Sequence, residues 1–78
     1  MKGQQNNSLE GTWTKQGSGH FMILYPDHVF LLKEKNLIEG TYQIEGKDLI
    51  LTYAGLSERY EIHDSYLIDD DGQKWKKE

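Results

Sequence analysis

With 78 residues, no cysteine and 13 acidic against 9 basic side chains for a net charge of −4, the chain has room for one small domain. Such a domain buries only about 60% of the surface its unfolded form exposes. Disulfides and a thiol nucleophile are excluded, and the acidic balance, with Arg59 as the one arginine, opposes a nucleic-acid backbone, where affinity comes from Lys and Arg neutralising phosphates. No apolar run approaches the ~18 residues that span a bilayer, and no hydrophobic signal region is visible, so a soluble domain without a membrane span is expected.

Residues 1–8 hold no apolar side chain after Met1 and are rich in polar linker types, which predicts a disordered polar tail. From Leu9 onward, turn chemistry recurs between short β-branched or aromatic runs: Gln16-Gly17-Ser18-Gly19, Tyr25-Pro26-Asp27-His28, Lys35-Asn36, Glu45-Gly46-Lys47, Ala54-Gly55, His63-Asp64-Ser65 and Asp70-Asp71-Gly72. This spacing predicts strands at 10–15, 19–25, 28–34, 38–44, 48–53, 58–63, 66–69 and 73–77. No segment carries an apolar stripe of helical period. The fold class is therefore all-β: a single antiparallel up-and-down meander of about eight short strands over residues 9–78, forming a small barrel or a strongly curved sheet.

Repetition supports that reading. Leu9-Glu10-Gly11-Thr12-Trp13 returns as Ile38-Glu39-Gly40-Thr41-Tyr42, and Tyr42-x-Ile44 with Leu49-Ile50 returns as Tyr60-x-Ile62 with Leu67-Ile68. Side chains alternate faces along a strand, which places Leu9, Gly11 and Trp13 on one inner face and Ile38, Gly40, Tyr42 and Ile44 on another. Leu49, Leu51 and Tyr53 share a face, as do Tyr60 and Ile62. Gly11 and Gly40 each precede a large ring by two positions, where a missing side chain lets the sheet bend or another ring cross it.

One hairpin departs from the plan. With Pro26-Asp27 as its turn, Leu24 meets Val29 and Met22 meets Leu31 on one face, while Phe21, Ile23, Tyr25, Phe30 and Leu32 share the other. A strand pair apolar on both faces needs two coverings, so these five residues form the expected interaction patch.

Motifs of chemistry are weak. His20 and His28 sit at opposite ends of that hairpin and His63 is remote, so no metal set is expected. Asp69-Asp70-Asp71-Gly72 lacks the alternating carboxylates and later Glu of an EF-hand and reads as a hairpin turn. Glu10 and Glu39 fall on the outward parity. No serine has a nucleophile-elbow context, and Gly17-x-Gly19 precedes a strand where a phosphate loop requires a helix. Neither catalysis nor a cofactor is expected.

Gly11-Thr12-Trp13, the stretch from Phe21 through Tyr25-Pro-Asp27 to Phe30, and Gly40-Thr-Tyr42-Gln-Ile44-Glu-Gly46-Lys-Asp-Leu49 together resemble the small lipocalin-like domains, G-x-W in their first strand, found in many bacterial proteins of unknown function. The resemblance implies an up-and-down barrel or curved sheet, often exported and lipid-anchored, with no common catalytic residue. His28 stands where the family often has a turn glycine. Lys74, Lys76 and Lys77 stand where relatives place an arginine over the tryptophan, and a lysine on the Trp13 ring contributes roughly 0.5–1 kcal/mol at an exposed site.

The function expected is a non-catalytic interaction module, engaging a protein partner or itself as a homodimer through the apolar outer face. The alternative is a carrier of a small apolar ligand inside the barrel, lined by Trp13, Tyr42 and Tyr53, although strands this short make an interior that their own side chains fill. A weaker alternative, from size and acidity, is an accessory or inhibitory protein of a mobile element. A lipobox cysteine preceding Met1 would make the protein an envelope lipoprotein; otherwise the expected location is cytoplasmic.

Overall fold

The computed structural model describes residues 9–78; the expected polar tail at 1–8 lies outside the described residues. Eight strands follow one another: β1 (Gly11–Lys15), β2 (Phe21–Leu24), β3 (Val29–Lys33), β4 (Leu37–Glu45), β5 (Asp48–Tyr53), β6 (Leu56–Ile62), β7 (Tyr66–Ile68) and β8 (Lys74–Lys77). Each pairs antiparallel with the next, and β8 returns to β1, so the meander is a closed barrel. Closure removes most of the edge that an open sheet would leave to water, although β7 pairs with β6 only at Glu61 and Ile62. Among the described residues no helix is long and apolar enough to cross a membrane.

The meander puts alternate turns at opposite ends. At the end here termed upper lie 16–20, 34–36, 54–55 and 69–73; at the lower end lie 25–28, 46–47 and 63–65. β4 is long because it serves two neighbours: its residues Leu37 to Thr41 pair with β3, and Thr41 to Glu45 pair with β5. Gly40 sits just before the change. A Cβ there would lie 2.2 Å from the Thr52 carbonyl oxygen and 2.8 Å from the Phe30 ring, so the bend exists only because residue 40 has no side chain.

The interior follows the expected parity in most strands. Trp13, Met22, Tyr42, Leu49, Leu51, Tyr60, Leu67 and Trp75 are buried, and the rings of Tyr60 and Trp75 meet edge to face at 5.8 Å. Ile44, expected inside, is 42% exposed, because the lower end of β4 runs past the core.

The β2–β3 hairpin overturns the expected register. Tyr25 N–H donates to the Val29 carbonyl at 2.9 Å and His28 N–H to the Tyr25 carbonyl at 3.2 Å, so the loop is three residues, Pro26-Asp27-His28, and not two. His28 takes the left-handed conformation at φ 69° that closes such a loop. Leu24 therefore meets Phe30, and Met22 meets Leu32. One residue of slip exchanges the two faces of a strand. Phe30 and Leu32, expected outside, are fully buried in the barrel at 0% exposure.

Candidate functional site

Correcting the register redraws the outer patch. Phe21, Ile23 and Tyr25 remain outward, and the places given to Phe30 and Leu32 belong to Val29 and Leu31, with Leu37 added from β4. Ile23 stands opposite Leu31, and Lys33 between Phe21 and Leu37. Phe21, Ile23 and Leu31 are half-buried, whereas Tyr25, Val29 and Leu37 are exposed. The result is an apolar cluster on β2 and β3, bordered by Thr12, Lys33, Glu39 and Thr41, with Leu37 on the far side of Lys33. Val29 and Leu31 fall outside the expected patch because a two-residue turn would place them on the inner face, and Leu37 because the expected fourth strand begins only at Ile38. The signal was present in His28, since histidine is among the residues enriched at positive φ.

Of the expected ligand-lining set, Trp13 and Tyr42 belong to one buried core and Tyr53 packs against it half-buried. Trp13 and Tyr42 are buried and each spends its polar atom on backbone towards the lower end: Trp13 Nε1 donates to the Leu9 carbonyl at 2.9 Å, and the Tyr42 hydroxyl to the Tyr25 carbonyl at 2.6 Å. The His28 ring stacks on Tyr42 at 5.4 Å. Lys77 Nζ lies 5.9 Å from the Trp13 ring centroid, which is the lysine-over-tryptophan contact expected of the last strand. Tyr53 stands at the upper end, edge to face with Phe30 at 6.0 Å. Phe30, Leu32, Leu49 and Leu51 are fully buried in the same core.

The upper mouth is polar. Glu58 lies on the inward parity of β6 and accepts from the Tyr53 hydroxyl at 2.5 Å and from the Tyr60 hydroxyl at 3.5 Å. The bond to Glu58, followed by burial, pushes Tyr53 up to about 12, while burial first and the Glu58 charge second hold Tyr60 far above the ordinary tyrosine range. Beside this pair opens a cleft of about 300 Å³, lined among others by Lys15, Glu34, Glu58, Arg59, Asp69 and Asp70.

Asp69 is accounted for by structure. Its Oδ1 accepts from the N–H groups of Asp71 and Gln73, both at 2.9 Å, and its Oδ2 from Trp75 Nε1 at 3.0 Å, while Lys15 Nζ stands 3.9 Å away. The carboxylate thus shapes the turn into β8 and ties it to the core ring. Gly72, at φ 79°, closes the three-residue loop. His63 pairs with Glu61 at 2.8 Å and stacks on Tyr66 at 4.7 Å, at the lower end and far along the chain from His20. Among the described residues no group of three His, Asp or Glu side chains is placed to hold a metal ion.

The fold and these surfaces define a small, closed, antiparallel eight-stranded β-barrel domain. In comparisons with family models, curated proteins and solved structures, nothing matches the chain, so the architecture agrees with what the lipocalin-like resemblance implies without tying the chain to that family.

Proposed function

We propose that this barrel is a non-catalytic interaction module that engages a protein partner, or a second copy of itself, through the outer face of β2, β3 and β4. The observation that carries the reading is the apolar cluster of Phe21, Ile23, Val29 and Leu31 on the outer face of β2 and β3, with exposed Leu37 beyond Lys33 on β4, while the outward positions of β6 and β8 are Ser57, Arg59, Glu61, Lys74 and Lys76. Contiguous exposed apolar surface rimmed by polar residues is characteristic of interaction sites. The rival reading, a carrier of an apolar ligand, has less support, because the polar atoms of Trp13 and Tyr42 are already bonded to backbone.

Sedimentation across a range of concentrations tests the self-association form. A dimer that Phe21→Ser and Leu31→Ser convert to a folded monomer supports it, and a strict monomer with unchanged solubility in both variants removes it. Tryptophan fluorescence with a fatty acid addresses the rival: saturable quenching of Trp13 and Trp75 would favour the carrier.

A further inference from the structure

β6 is longer than the strand that covers it. β5 pairs with β6 from Leu56 to Glu61, but β7 lies opposite only Glu61 and Ile62. Ladder bonds on an antiparallel strand point alternately to its two neighbours, and two bonds set the phase. Ile62 N–H donates to the Lys47 carbonyl at 2.7 Å on the β5 side, and His63 N–H to the Tyr66 carbonyl at 2.9 Å on the β7 side. Leu56, Glu58 and Tyr60 therefore bond to β5, and the N–H and C=O groups of Ser57 and Arg59 point the other way. No residue of β7 stands opposite them, because the chain leaves β7 at Ile68 for a loop that closes on itself through Asp69 N–H to Gln73 C=O and Gly72 N–H to Asp69 C=O.

Open space lies along this edge. Arg59 and Asp70 both line the cleft of about 300 Å³ and the two shallower hollows beside it. The walls of the cleft carry Glu34, Glu58, Asp69, Asp70 and Asp71 against two cations, and both cations already face carboxylates, Lys15 with Asp69 and Arg59 with Asp48 at 3.7 Å. An occupant must therefore bring backbone donors and acceptors in extended form and positive charge on its side chains.

We propose that the open edge of β6 accepts a basic, extended peptide segment of a protein partner as an added strand, hydrogen-bonded to the backbone of Ser57 and Arg59, with its lysine or arginine side chains among the acids of the cleft. Main-chain bonds to a sheet edge supply affinity in this mode, and side chains supply selectivity. The site is separate from the apolar cluster on β2 and β3 and does not depend on it.

Amide chemical shifts of the isotope-labelled chain test the proposal with three capped probes: a peptide of alternating lysine and valine, its glutamate–valine counterpart, and the lysine–valine peptide with alternate amides N-methylated. The lysine–valine peptide should shift Ser57, Arg59 and Asp70 saturably, bind roughly ten-fold more weakly to the Asp70→Asn/Asp71→Asn variant, and bind Phe21→Ser unchanged. Arg59→Pro, which removes an outward N–H but no bond to β5, should abolish binding in a chain whose circular dichroism is retained. No saturable shift, equal binding of the glutamate or N-methylated peptides, or shifts confined to Phe21 and Ile23 would each overturn it.

Discussion

The phrase Gly-Thr-aromatic is used twice in this barrel, at Gly11-Thr12-Trp13 on β1 and at Gly40-Thr41-Tyr42 on β4, and the two copies need their glycine for different reasons. In both, the ring is buried and donates one hydrogen bond to a backbone carbonyl near the lower end. At Gly40 the constraint is space: a Cβ would meet the Thr52 carbonyl, the Phe30 ring and the Cβ of Tyr53. At Gly11 it is conformation, with φ at 129°, and the nearest obstacle is only the flexible Lys77 Cε at 2.9 Å. Equal sequence therefore marks equal ring placement, and the reason for the glycine is local.

The strongest way to break the comparison is Gly40→Ala. The obstacle is backbone of the neighbouring strand, so the change should cost about 3 kcal/mol, at the upper end of what overpacking does, and chemical denaturation of both glycine variants measures it. Gly11→Ala should cost less, about 1–2 kcal/mol of backbone strain; equal losses at the two positions would mean that space does not decide at Gly40. Tyr42→Phe removes only a hydroxyl and should cost about 1 kcal/mol, with the freed Tyr25 carbonyl exchanging its partner for water. Lys77→Gln probes the lysine over the Trp13 ring: a loss of roughly 0.5 kcal/mol is expected, accompanied by a change in tryptophan emission.

The tyrosines of the upper mouth supply a contrast by pH. Raised values mean that the folded state holds its protons longer than the unfolded chain, whose tyrosines titrate near 10. This contribution is fully present below about pH 10 and is lost as pH rises towards 12, the value reached by Tyr53. Tyrosinate absorbance should therefore show Tyr53 ionising later in the folded than in the unfolded chain, and Glu58→Gln should bring Tyr53 back towards the ordinary range.

Much of the fold was legible because period-two alternation and turn chemistry are local. The order of the strands, the inward set from Trp13 to Leu51, and the three-residue loop closed by Gly72 all follow from neighbours in the chain. The outer patch was only half legible. Phe21, Ile23 and Tyr25 lie outward as expected, but Phe30 and Leu32 exchanged places with Val29 and Leu31, since in an apolar-on-both-faces hairpin the pattern cannot choose a register and one residue of loop length does. The unpaired stretch of β6 was not legible at all. It arises from the stagger of β7 against β6, which depends on how a closed barrel shares its strands.

An all-β meander of eight strands, the alternation that buries aromatic and aliphatic side chains in its core, and a net charge of −4 could be read from the chain alone, because composition and periodicity act over a few residues. Only the tertiary structure decided which face of the β2–β3 hairpin meets water, why each of the two repeated glycines is required, and where Ser57 and Arg59 leave backbone groups unpaired. Those outcomes depend on register and closure, which are set by the packing of residues far apart in the chain.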